Sequence, residues 1–167
     1  ERPSRRVFVP TFGIDRTEVP NGAYRACVVA SACVPPASRE DDTRTSGGTL
    51  PVVGVTYADA ERYCAWTRGR VPTEEEWEKA ARGDSDRVFP WGRFYGEGLA
   101  NHGASPFRPD PADGYELLAP VGSFPDGASA YGVLDLAGNV WEWTASHPRE
   151  SDFTELGLST LGGGMRV

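Results

Sequence analysis

Apolar residues recur at helical spacing in three stretches of this chain. In Thr17–Ala30, Tyr24, Cys27 and Val28 stand at i, i+3 and i+4, which predicts a helix opening near Pro20-Asn21 with those side chains inward. Thr56 with Asp59 three residues on is a capping-box-like pair for a second helix; Ala60, Tyr63, Cys64 and Thr67 form its expected buried stripe and Gly69 its stop. Pro72-Thr73 opens a third, where Thr73 and Glu76 make the stronger capping box and Trp77, Ala80 and Ala81 face inward. Glu74, Glu75 and Glu76 suit the positive helix end, which accounts for this acidic run better than catalysis does.

Strand-like patterns lie outside the helices. Val7–Ile14 alternates loosely and is rich in β-formers, with Pro10 at an edge or bend. Tyr131–Thr144 is the stretch around which the chain is organised: if extended, it puts the indoles of Trp141 and Trp143 on one face and Glu142 on the other. Before them, Gly132 and Gly138-Asn139 allow turns with positive φ. Val34–Thr49 reads as a mobile polar loop, and Ser146–Ser159 as a polar segment. Val88–Pro125 is a long aromatic, Gly- and Pro-rich stretch without periodicity, and a loop of that length in a compact domain is usually functional or pinned by a ligand.

Length and composition narrow the classes. The 167 residues suit one domain with a real core, and 39% apolar with 25% charged residues suits a soluble globular protein. Twenty Gly and fourteen Pro predict many turns and short elements. A net charge of −7 argues against nucleic acid or an anionic membrane surface as main partner and favours cations. No apolar run has the length of a membrane span. Of the three cysteines, Cys27 and Cys33 are spaced for a short-loop disulfide, which would place the protein in an oxidising, extracytoplasmic or secreted setting; two reduced thiols at a helix end are the other reading.

Hard oxygen ligands bracket the turn in the central stretch. Asp135 and Glu142 stand at its ends, with the carbonyls of Gly138 and Val140 between, the raw material of a Ca2+ site although the usual calcium-loop spacing is absent. A buried Trp-rich strand with one paired carboxylate is the alternative. Asn101 and Asp113 offer oxygens inside the long loop, where a cation could act as a staple; Asx-turn roles are the alternative.

Several blocks together resemble one family. They include Ile14-Asp15…Glu18-Val19…Asn21…Tyr24, Gly69-Arg70-Val71-Pro72-Thr73-Glu74…Glu76-Trp77-Glu78, Pro90-Trp91-Gly92 and Gly138-Asn139-Val140-Trp141-Glu142-Trp143, with a first block at Glu1-Arg2-Pro3…Arg6-Val7. Their order and spacing are similar to the sulfatase-modifying-factor domain, the family of the formylglycine-generating enzyme, across essentially the whole of residues 1–167. The resemblance implies an α+β variant of the C-type-lectin-like fold, with small twisted antiparallel sheets, about three helices and long calcium-braced loops. It implies one structural Ca2+ held by Asn101 (side chain), His102 (backbone oxygen), Asp113 (side chain) and Tyr115 (backbone oxygen). It implies a second held by Asp135, Gly138, Val140 and Glu142. Asp135 stands where the family often has Asn, Arg5 where it commonly has His, and Pro20 where Thr is common.

The family's catalytic residues do not carry over. Its enzymes resemble one another in a cysteine pair that binds copper(I) after an Arg-Gly-Gly-Ser-type strand, and thiolate suits soft Cu+. Here the last cysteine is Cys64, in a helix motif where packing is the expected role. No catalytic residue is therefore assigned, and Cu+ enters only if a further C-terminal part carries the pair. The leading expectation is a non-catalytic module binding a protein or peptide ligand, with Trp91, Phe94 and Tyr95 as aromatic surface. The alternative is the N-terminal part of a copper-dependent oxidase acting on a cysteine of a target protein. An iron-dependent sulfur-transfer enzyme of the ergothioneine type ranks last, because His102 and His147 are the only histidines. A strand-like end at Met165-Arg166-Val167 would leave an unpaired edge, so the single domain is expected to lack its C-terminal part. The remaining segment of its own polypeptide, or a second chain, would then complete it.

Overall fold

Capping chemistry sets the helices. The computed structural model describes residues 7–37, 42–102 and 111–146. Its α-helices are α1 (Asn21–Val29), α2 (Thr43–Ser46), α3 (Tyr57–Trp66) and α4 (Glu74–Arg82), with 3-10 turns at Pro111–Asp113 and Pro125–Gly127. Both predicted capping boxes are formed, Thr56 with Asp59 on α3 and Thr73 with Glu76 on α4.

α1 begins at Asn21, as the Pro20-Asn21 opening led one to expect, with Pro20 extended as its N-cap. The stop of α3 is Arg68, not Gly69: Arg68 takes φ 64°. The N–H of Gly69 then reaches Cys64 O at 2.7 Å, and that of Arg68 reaches Ala65 O at 3.0 Å. Ser31, at φ 57°, closes α1 in the same way. The stretch read as a polar loop also contains α2, capped by the Asp42 side chain.

The strand expectations are corrected. Among the described residues the only β-pairing is two isolated antiparallel bridges, Pro20 with Pro51 and Phe89 with Gly92. Val7–Ile14 forms no ladder, although Phe12 and Ile14 still pack on the core. Tyr131–Thr144 is likewise not a strand, because its backbone bonds go to scattered partners. Leu134 N–H donates to Arg16 O and Asn139 N–H to Asn101 O. The two indoles accordingly part company. Trp141 is 92% exposed, whereas Trp143 donates to Val55 O at 3.1 Å and meets Tyr57 edge-on.

Two clusters form the core. One joins Tyr24, Cys27, Cys33 and Tyr63, with the Tyr24 and Tyr63 rings stacked at 5.6 Å between α1 and α3. Thr67, expected in that buried stripe, is exposed because α3 ends before it. The other cluster joins Ala80, Ala81, Val133 and Leu136 beside Trp77. Asn21 fastens the 42–51 segment to α1, its amide donating to Thr45 O, Gly47 O and Pro51 O.

Cys27 and Cys33 are joined in a disulfide with Cα atoms 5.3 Å apart. Replacing both by alanine is expected to lower stability by about 2–3 kcal/mol, chiefly through the freed unfolded chain. Urea unfolding of the variant against oxidised and reduced wild type checks this; equal midpoints for all three would show that the bridge constrains nothing.

Glu76 is the buried end of an ion pair with the more exposed Arg70. The Arg70 hydrogen bond foremost, with those from Thr73, outweighs burial and holds this carboxyl down at about 2. A depressed carboxyl stabilises the fold above its unfolded value near 4.5, and that contribution is lost as pH falls toward 2. Glu76→Gln is therefore expected to cost about 1–3 kcal/mol at neutral pH. The gap to wild type should narrow between about pH 5 and pH 3. Urea titrations at both values read it, and a constant gap would show no linkage.

Candidate metal centre

The loops around Asn101 and Asp135 gather oxygen atoms and fix them with short-range backbone geometry. Asn101 is 2% exposed. Its Nδ2 donates to Leu117 O at 3.0 Å and to Asn139 Oδ1 at 2.9 Å. Its Oδ1 has no hydrogen-bond partner, the one buried side-chain polar atom so left among the described residues. A buried amide oxygen without a donor costs about 1–3 kcal/mol, and a hard cation would satisfy it. Asp113 lies in the same loop, its carboxylate accepting the N–H of His102 at 2.7 Å and of Tyr115 at 3.0 Å. Asp113 thereby ties together His102 and Tyr115 of the first predicted set, while the Asn101 side chain bonds to Leu117 and Asn139. The His102 ring turns away to the Tyr95 hydroxyl, 2.7 Å from Nε2.

The second set lies on the 135–142 loop. Asp135 (φ 59°), Gly138 (φ 83°) and Asn139 (φ 57°) are left-handed, so the loop is tightly coiled as Gly138-Asn139 led one to expect. Asp135 accepts the N–H of Gly122 at 2.8 Å, and Glu142 accepts the Trp77 indole N–H. Burial, and then the charge of Asp135 against the opposing Trp77 hydrogen bond, pushes the Glu142 carboxyl up to about 7. Burial raises Asp135 as well.

A third carboxylate completes the group. Glu18 is 7% exposed, accepting from Asn139 Nδ2 at 2.6 Å and from the Val140 N–H at 3.1 Å. Burial, with smaller contributions from Asp135 and Glu142, pushes it up to about 8 despite those donors. Burial is the first cause of the upward shift of all three carboxyls. Among the described residues no three His, Cys, Asp or Glu side chains are grouped to hold a metal. The two expected sets therefore depend on amide and backbone oxygens, a donor type that calcium accepts.

Sequence reasoning singled out neither Glu18 nor the side chain of Asn139 for a role here. Asn139 was legible only as a turn former, and Glu18 bonds to it from 121 positions away, a pairing no local pattern announces. For copper(I) the cysteines present do not fit. Cys27 and Cys33 are bonded to each other, and burial together with nearby Asp15 raises the lone Cys64 thiol, away from thiolate.

An open groove of about 940 Å³ runs beside the second loop, lined by Tyr63, Cys64, Arg70, Trp77, Glu142 and Trp143 among others. Phe94 and Tyr95 are exposed, and Trp91 is half-buried against Phe89 at 5.0 Å.

Among the described residues the chain has four short α-helices and only isolated β-bridges. The chain matches the sulfatase-modifying factor enzyme 1-like domain (FGE-sulfatase) over residues 1–167 and belongs to that family. It is 37% identical to a hercynine oxygenase of Mycolicibacterium smegmatis over 87% of this chain and 40% of that protein. It is 50% identical to the inactive C-alpha-formylglycine-generating enzyme 2 of Mus musculus over 58% of this chain and 32% of that one. A formylglycine-generating enzyme of Mycobacterium tuberculosis is 39% identical over 86% of this chain and 48% of its own length. The chain thus spans less than half the length of these three relatives. Among solved structures, PvdO from Pseudomonas aeruginosa shares the fold, with a TM-score of 0.64 and 28% identity over 90% of this chain and 62% of PvdO.

Proposed function

We propose that this chain is a calcium-stabilised domain of the formylglycine-generating-enzyme family, without chemistry of its own, that serves as a protein- or peptide-binding module. The observation that carries the calcium reading is the buried, partnerless Asn101 Oδ1. Asn101, His102, Asp113 and Tyr115 would hold one ion, and Asp135, Gly138, Val140 and Glu142 the other. Calcium would act structurally, bracing a C-type-lectin-like scaffold whose loops carry little secondary structure. Likeness to a relative whose printed name is inactive supports a non-catalytic role for this chain, and Cys27 is joined to Cys33 in a disulfide. The same disulfide supports an extracytoplasmic or secreted location. The groove beside Trp143 and the exposed Phe94 and Tyr95 offer the binding surface.

Isothermal titration with calcium tests the first part. Two equivalents are expected to bind the wild type, and Asp113→Asn is expected to lose one of them. A wild type that takes up no calcium sinks the reading. A pull-down with immobilised peptides against the Trp143→Ala variant tests the second part.

A second reading is favoured by one comparison, the 39% identity to a formylglycine-generating enzyme of which this chain spans 48%. On that reading the chain is the N-terminal part of an oxidase whose copper(I)-binding cysteines lie elsewhere in its polypeptide. Sequencing the native polypeptide beyond Val167 separates the two: a downstream cysteine pair favours the oxidase, and its absence leaves the binding module.

A further inference from the structure

Asn139 makes every hydrogen bond its amide allows, and the four bonds reach three separate residues, Asn101, Ala119 and Glu18. Its Oδ1 accepts from Asn101 Nδ2 at 2.9 Å and from the Ala119 N–H at 3.0 Å. Its Nδ2 donates to Glu18 Oε2 at 2.6 Å and to Ala119 O at 3.2 Å. The backbone donor at Ala119 and the carboxylate acceptor at Glu18 fix which way this amide faces. That orientation propagates. With Asn139 Oδ1 as acceptor, Asn101 must present Nδ2 to it, which leaves Asn101 Oδ1 as the atom without a donor.

The backbone link runs the other way. Asn139 N–H donates to Asn101 O at 2.9 Å, and the backbone of Gly138 passes so close that a Cβ there would lie 2.0 Å from the same oxygen. Glu18 grips both the Asn139 amide and the Val140 N–H. Gly138 and Val140, which flank Asn139, are the residues whose carbonyls would serve the second cation. One side chain therefore orients Asn101 of the first proposed site, and the residues on either side of it would supply carbonyls to the second.

We propose that Asn139 is a positioning residue that couples the two cation sites, so that filling either one raises the affinity of the other. The inference rests on the calcium reading given above. An ion on Asn101 Oδ1 holds the Asn101 amide in the orientation that Asn139 requires. That in turn stiffens the Gly138–Val140 backbone before the second ion arrives. Coupling of this kind is reciprocal, and its usual size is about 5- to 150-fold in affinity.

Calcium titration calorimetry on four proteins tests it: wild type, Glu142→Gln, Asn139→Gly and the double variant. Glycine is chosen because it keeps the positive φ of position 139 without strain. Thermal unfolding first establishes that each variant is folded; Asn139→Ser is the substitute if glycine fails. Asn139→Gly is expected to weaken both sites by about 10- to 100-fold, the usual effect of losing a residue that orients metal ligands. Glu142→Gln, which disables the second site, is expected to weaken the first by about tenfold in the wild-type background, within the usual range of coupling. Without Asn139 it is expected to leave the first site unchanged. A residue that served packing alone would not abolish this dependence. If Asn139→Gly weakens one site only, or if Glu142→Gln costs the first site equally in both backgrounds, the coupling is overturned while calcium binding stands. If the wild type binds no calcium, the calcium reading falls and the coupling with it.

Discussion

Gly138→Ala is expected to destabilise the protein by about 4 kcal/mol, near the upper end for a single substitution. Two causes add. Position 138 has φ 83°, where an L side chain is strained by about 1–2 kcal/mol. The new Cβ would also sit 2.0 Å from Asn101 O and 3.0 Å from Asn101 C, both backbone atoms that cannot swing aside. Forcing them apart adds about 1–3 kcal/mol. Gly132→Ala is the control. Gly132 shares the positive φ, at 78°, but a Cβ there meets nothing within 4 Å, so only strain of about 1 kcal/mol is expected. Urea unfolding followed by tryptophan fluorescence compares the two. Equal losses would show that close approach to Asn101 contributes nothing.

On the proposed calcium reading, removing the ion is expected to have a comparable effect by a different route. An ion that binds only the folded state stabilises it by about 4 kcal/mol when present at roughly a thousand times its dissociation constant. For a domain of this size that corresponds to roughly 8–16 °C in melting temperature per site. Melting in excess chelator, then with calcium restored, reads the shift directly. Excess magnesium should restore little of it, because its near-ideal octahedral demand suits a set of bent backbone carbonyls poorly. A melting curve indifferent to chelator and to calcium would mean that the buried oxygen of Asn101 is satisfied in some other way.

Much of the fold could be read from residue types alone, where the cause is local. Thr56 with Asp59 and Thr73 with Glu76 start α3 and α4 as their spacing requires, because a cap needs only residues three positions apart. Gly132, Gly138 and Asn139 take positive φ for an equally local reason. The pairing of Cys27 with Cys33 also spans a short stretch of chain. Val7–Ile14 and Tyr131–Thr144 failed as strands for the opposite reason. β-Propensity describes a side chain suited to a pleated surface, but pairing needs a neighbouring strand, and the backbone of the second segment bonds instead to Arg16 and Asn101.

The sequence by itself therefore determined three of the four helices and the capping boxes of α3 and α4, the turned backbone around Gly138, the family and the residue types able to hold a cation. Tertiary structure decided which of those oxygens are left without a donor and which are not. It buried Glu18 against Asn139, exposed Trp141 while covering Trp143, and left Asn101 Oδ1 alone. Hydrogen-bond satisfaction in a buried site is a property of every chain segment that reaches it. Segments 121 residues apart in sequence, as Glu18 and Asn139 are, meet only when the whole chain has folded.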